Sequence, residues 1–278
     1  MSISLDEWLS YEPKAPKQKS AVGPAAVISV FNQKGGVGKT TSTSSLGDAL
    51  AGFGRKVLVV DFDPQGSLTV GLTGNHEISP SIYDVIVGGV PSTDVILKTR
   101  TAGLDLLPAG IDLAAAEAWL FNEVGREYAL QRALAPVMND YDYILIDCLP
   151  SLGLLAINAL SVSQGLIIPL QCEFYALKGL ALLQETLEKV TSRINPNLDI
   201  VGILPTRVRN MKHHTEVLEL VINQFGEKVF HTIIPDTVKV SDSTMAAQPV
   251  TSYAPSSNAA SAYRNAAAQL IERIEGKK

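Results

Sequence analysis

The stretch Lys34-Gly-Gly-Val-Gly-Lys-Thr-Thr41 constrains this chain more than any other, because it reads as a turn built to hold an anion between a strand and a helix. Apolar Ala25-Ala-Val-Ile-Ser-Val-Phe31 precedes it and predicts a buried strand, and Leu46, Ala49, Leu50 and Phe53 follow at helical spacing. Gly35, Gly36 and Gly38 lack Cβ atoms, so the loop can aim successive N–H groups inward. The helix behind it adds its own unpaired N–H groups and its positive dipole end. The run matches G-x-x-x-x-G-K-[ST] only in part. Gly38, Lys39 and Thr40 supply its end, the first glycine is displaced, and Lys34 opens the loop. In that setting Lys39 reaches the β/γ-phosphates of a nucleotide and the Thr40 hydroxyl ligates Mg²⁺, with Val37 and Thr41 completing the cradle. A plain glycine-rich turn is the alternative. The lysine, the threonine and both flanking elements in register weigh against it.

Further along, apolar runs alternate with helical patterns, the signature of an α/β fold with a doubly wound, mostly parallel sheet. Strands are expected at 56–61, 104–108, 143–147, 165–169, 200–204 and 229–234. Helices are expected near 112–122, 126–138, 154–160, 176–191, 215–225 and 259–274. Two of these strands end in acid. Asp147 closes Tyr143-Ile-Leu-Ile-Asp147, and a carboxylate at that position is costly unless it faces a cation, so it is expected to hold Mg²⁺ through water. Asp61 and Asp63 lie in Val59-Val-Asp-Phe-Asp-Pro-Gln-Gly66, on one side of their strand by alternation. Read alone, D-x-D before proline is more often a turn signal.

Lys34 carries a second message. KGGVGKTT resembles the deviant Walker A loop of the ParA/MinD ATPases, a group of P-loop NTPases. The resemblance extends from about Ala25 to Ile274. It implies that Lys34 reaches across an ATP-dependent homodimer to the partner's phosphates. It also implies that Asp61 helps orient the Mg²⁺ shell and that Asp63 positions the attacking water. Cys148-Leu-Pro-Ser-Leu-Gly153 is similar to the family's second switch loop, with Leu149 where a first proline is usual. Pro169-Leu-Gln-Cys-Glu-Phe-Tyr-Ala-Leu-Lys-Gly179 is similar to ParA/Soj usage. Val229–Pro235 looks like the approach to an adenine pocket, where backbone groups of Pro235 and Thr237 would meet the base.

The family also implies non-specific DNA binding, by phosphate contacts that Arg207, Arg209, Lys212 and Lys239 would make, and a ParB-like or other adaptor that stimulates hydrolysis. Relatives commonly carry arginine directly after the adenine-side proline. This chain has Asp236, which is expected to oppose DNA there, so that Asp236→Arg would strengthen binding.

Composition bounds the rest. A chain of 278 residues with 46% hydrophobic content suits one α/β domain, expected at 23–278, behind a flexible tail at 1–22 rich in charge and proline. Leu5, Trp8 and Leu9 in that tail share one face of a possible short helix. A net charge of −5 leaves room for a local basic patch only. No run approaches a membrane span or a secretory signal, so the expected setting is a reducing cytoplasm, with association to the nucleoid. Two other readings stay open. A MinD-like membrane-cycling ATPase needs a C-terminal amphipathic helix, for which Leu270, Ile271 and Ile274 are the only bulky candidates. A metal-cluster carrier needs placed thiolates, and Cys148 and Cys172 share no motif.

Overall fold

The computed structural model describes residues 5–14, 16, 23–173, 175–209 and 211–276. Its strands are β1 (Ala26–Val30), β2 (Val57–Phe62), β3 (Leu97–Lys98), β4 (Leu104–Leu107), β5 (Tyr143–Cys148), β6 (Gly165–Gln171) and β7 (Asp199–Thr206). They form one sheet in the order β3-β4-β2-β5-β1-β6-β7, parallel except where β3 meets β4.

Alternation along the strands feeds two cores. Val27, Leu58, Val60, Ile144 and Ile146 face helices Leu113–Leu120, Ala129–Leu134, Leu154–Val162, Ala176–Arg193 and Lys212–Phe225. Ile28, Val30, Val57, Val59 and Leu145 face helices Lys39–Gly52 and Asn258–Glu275. Both faces are therefore covered, which is why the central strands read as unbroken apolar runs. Helix Lys39–Gly52 lies very close to the sheet at Gly47, where a Cβ would stand 2.9 Å from Val59 Cγ1 and 3.0 Å from Leu104 Cδ1. The register sets Asp61 of β2 beside Asp147 of β5, and Asp147 beside Val30 of β1. The two carboxylates thus lie at the strand ends from which the phosphate loop departs, where open α/β sheets bind ligands.

Several expected elements differ. The segment 229–234 is no strand: it meets β7 through one isolated bridge, Ile203 with Val229, and two separate hydrogen bonds, from the Phe230 N–H to Ile203 and from the Ile234 N–H to Pro205. A second bridge, Val208 with Pro235, lies just beyond both segments. Pro205 in β7 accepts from the Ile234 N–H at 2.8 Å but has no N–H to return, so a ladder cannot propagate. Helix Val238–Met245 follows, a short polar helix that the sequence pattern did not suggest. The helix expected over 126–138 is three pieces, the 3₁₀ turns Arg126–Tyr128 and Ala135–Val137 around Ala129–Leu134, with Pro136 in the last.

Part of the segment read as a flexible tail is seated on the domain. Helix Leu5–Leu9 buries Trp8, whose ring stacks on His231 at 5.0 Å. The Tyr11 hydroxyl donates to Glu272 at 2.6 Å, and the Lys14 N–H donates to the same carboxylate at 2.7 Å. Burial of one aromatic ring and two hydrogen bonds to an anion offset the ordering cost there. The remainder of that segment, residues 1–4, 15 and 17–22, lies outside the described residues.

Candidate nucleotide site

The loop after β1 takes the shape its glycines allow. Gly36 and Gly38 sit at φ 73° and 90°, the left-handed region that side chains resist. Helix Lys39–Gly52 starts at Gly38 with no side chain capping it, so its first N–H groups remain available to a ligand. Lys39 is buried, and its ammonium donates to the Lys34 carbonyl at 3.1 Å. Burial pushes the Lys39 pKa below the usual lysine value, against the pull of Asp147 and Asp63.

A cleft of about 570 Å³ opens beside the loop. Gly35, Gly36, Gly38, Lys39, Thr40 and Thr41 line it, as do Asp63 from beyond β2 and Pro235 and Thr237 from the far end of the chain. Val37 is turned away: it is buried, and its carbonyl accepts the Thr206 hydroxyl at 2.7 Å.

Asp147 and Asp61 sit side by side but are engaged differently. One Asp147 oxygen accepts from the Thr43 hydroxyl at 3.3 Å, while Oδ2 is buried with no hydrogen-bond partner among the described residues. Burial, and next the charge of Asp61, holds the Asp147 pKa well above the carboxylate range, opposed by the nearby Thr40 hydroxyl and by Lys39. Asp61 has both oxygens occupied. Oδ2 accepts from the Thr69 N–H at 2.8 Å and the Thr69 hydroxyl at 2.7 Å, and Oδ1 from the Asp63 N–H at 3.3 Å. Burial pushes its pKa up to about 6. Asp61 therefore ties helix Ser67–Thr73 to β2, a different use from the metal-shell role expected of it. Asp63 is half-buried, with its carboxylate accepting the Gln65 N–H at 2.9 Å.

Lys34 lies outside the cleft. Its ammonium pairs with Glu173 and reaches Gln171 Oε1 at 3.4 Å, both at the exit of β6. The basic residues expected on DNA are mostly paired too. Asp236 accepts from Arg209 Nε at 2.6 Å and stands 3.8 Å from Arg207 Nε. Lys212 lies 3.8 Å from Glu216, and Lys239 is exposed. Asp236 is thus the counter-ion of this surface as well as a repulsive charge. Asp236→Arg would strand Arg209 beside a like charge, so the expected gain in DNA binding does not follow from the structure. Thr43 and Glu173 were invisible to motif reading, since each acts through a partner more than a hundred positions away, and Thr69, eight positions from Asp61, belongs to no motif.

The cation-ready oxygen of Asp147, the Thr40 hydroxyl, the buried Lys39 and the open N–H groups of the loop form a donor set that fits Mg²⁺ and a polyphosphate. Fold and loop together define a P-loop nucleoside triphosphatase. A family described as an AAA domain matches residues 25–200. Soj of Bacillus subtilis, described as a sporulation initiation inhibitor, is 43% identical, covering 88% of this chain and 97% of its own. The chromosome partitioning protein ParA of Caulobacter vibrioides is 40% identical, covering 91% and 96%. A crystal structure from Mycobacterium smegmatis, described as cobyrinic acid a,c-diamide synthase with bound ATP analogue and magnesium, superposes with a TM-score of 0.80 at 39% identity, covering 91% of this chain and 97% of that one.

The chain belongs to the ParA/MinD family of ATPases, on the ParA side. The Mycobacterium smegmatis structure holds an ATP analogue and magnesium, and the donor set of this site is consistent with ATP and Mg²⁺.

Leu270 and Ile271 of the last helix are buried in the core and Ile274 packs against it. The apolar face that a MinD-like membrane helix would need is thereby spent. No described helix is long and apolar enough to cross a membrane. Cys148 and Cys172 are both buried, and burial pushes the Cys172 thiol up to about 12.

Proposed function

We propose that this chain is a Mg²⁺-dependent ATP hydrolase that closes as a two-fold dimer around two ATP molecules and uses that cycle to segregate or position DNA or another large cargo. The observation that carries the reading is Asp147 Oδ2, a buried acceptor with no partner among the described residues beneath a loop shaped for phosphates. Asp147, through water, and the Thr40 hydroxyl would hold Mg²⁺, which would supply positive charge against the phosphates. Lys39 neutralises the β/γ-phosphates, and the loop N–H groups cradle them. The backbone of Pro235 and Thr237 receives the adenine. Asp63, within the cleft and half-exposed, orients the water that attacks the γ-phosphorus. Asp61 holds the segment carrying Asp63 in place.

Lys34 supplies the second cation. It leaves Glu173 on dimerisation and reaches the partner's phosphates, so turnover requires two chains. The dimer binds duplex DNA through phosphates, weakly at Arg209 because Asp236 already neutralises it. A ParB-like or other adaptor stimulates hydrolysis. Relatives described as Soj and ParA support this reading. Phosphate release from ATP and Mg²⁺ tests it. Wild type should turn over measurably and Lys39→Ala should not, whereas equal turnover in both would remove the phosphate-cradle assignment.

A further inference from the structure

We infer that Arg207 is a nucleotide-binding residue that places a cis cation on the phosphates of bound ATP. Its backbone is the first observation. Arg207 has φ 52°, one of two non-glycine residues in the left-handed region among the described residues. An L-residue with a long side chain is strained there, and such strain is kept where the surrounding structure gains from it.

The strain aims the side chain. Arg207 follows β7 and precedes Val208, which bridges Pro235. The left-handed turn sends the guanidinium back over the phosphate loop, where NH1 donates to the Gly36 carbonyl at 3.0 Å. Arg207 lines the same cleft as Lys39 and Thr40. Asp236 meets its Nε at 3.8 Å, beyond hydrogen-bond length, so that carboxylate steers the side chain without consuming its donors. A guanidinium has five N–H groups in a planar fork, and the Gly36 carbonyl takes one. The others stand within a cleft whose ligand carries several negative charges. A surface cation meant for DNA has no need of a strained backbone or of a bond to the phosphate loop.

The test compares ATP–Mg²⁺ affinity by calorimetry for wild type, Arg207→Met, Arg207→Lys and Arg207→Gly, with melting temperatures of the nucleotide-free proteins. Loss of one charge-assisted contact to a phosphate should weaken ATP by roughly 10- to 100-fold in the Met and Gly variants. Arg207→Lys keeps the charge and should recover part of that loss. Arg207→Gly relieves the positive φ and should melt at or above the wild-type temperature, which separates a ligand contact from a structural one. Affinities within twofold of wild type, or a lysine variant as weak as methionine, would overturn the inference. Lys39→Ala serves as the control. If it loses ATP while Arg207→Gly does not, only the role of Arg207 falls. If wild type binds no ATP, the nucleotide reading falls with it.

Discussion

The Lys34 ammonium is ion-paired with the Glu173 carboxylate within a single chain, joining the phosphate loop to the exit of β6 across 139 positions of sequence. The pair is half-exposed, and Glu173's carboxyl is held below the ordinary range first by that hydrogen bond. On the proposed trans role, this pair parks the lysine within its own chain. Glu173→Gln should release it at little cost. Two such pairs per dimer, at about 0.2–1 kcal/mol each, predict roughly 2- to 30-fold tighter ATP-dependent dimerisation by light scattering. Weaker dimerisation would mean that Glu173 itself belongs to the interface.

Asp147 and Asp61 make the metal-free protein pH-sensitive. Both have folded pKa values raised above the unfolded value, Asp61 to about 6, so the folded state binds protons more tightly than the unfolded chain. Their contribution is lost as pH rises from the unfolded value near 4, and for Asp61 the loss is complete above about 6. Without Mg²⁺ and ATP, these two groups should make the protein less stable at pH 8 than at pH 5. Asp147→Asn removes a buried charge while keeping the oxygen that Thr43 meets. It should raise the metal-free melting temperature at pH 8 by a few degrees and abolish Mg²⁺-dependent ATP binding. A lower melting temperature would contradict the account of a carboxylate kept for a cation.

Asp61→Asn should do the reverse. Its amide would face either the Thr69 N–H or the Asp63 N–H, donor against donor. The loss should be about 1–3 kcal/mol, read as a lower denaturation midpoint. Asp63→Ala, by contrast, should leave stability and ATP affinity within a few-fold and cut turnover by roughly 10²-fold or more, since it removes a group used in the transition state.

How far these roles were legible in the sequence follows from what each residue depends on. The phosphate loop and both acid-tipped strands were readable because their chemistry is local: glycines, a lysine and a strand end fall within a few positions. The strand expected over 229–234 failed because its neighbour β7 carries Pro205, a fact about the partner and not about the segment. β3, two residues long, has no period to detect. Arg207 and Arg209 read as a basic patch until the fold brought Asp236 against them. Trp8 read as part of a tail because nothing nearby in sequence offers the His231 ring it stacks on.

For DNA, the informative change is Asp236→Asn. It frees Arg209, and two such arginines per dimer should steepen the slope of log affinity against log salt by about 1.8, at −0.9 per phosphate contact. The change should be equal on unrelated duplexes. An unchanged slope in a mobility-shift titration would remove Arg209 from the DNA surface.

The central claim is that ATP closes two chains through Lys34. Light scattering after size exclusion, with Mg²⁺ and ATP, on Asp63→Ala and on the double variant Lys34→Ala/Asp63→Ala tests it most directly, because hydrolysis is blocked in both. The account predicts a dimer for the first and a nucleotide-bound monomer for the second. A dimer in both would show that Lys34 does not bridge the chains.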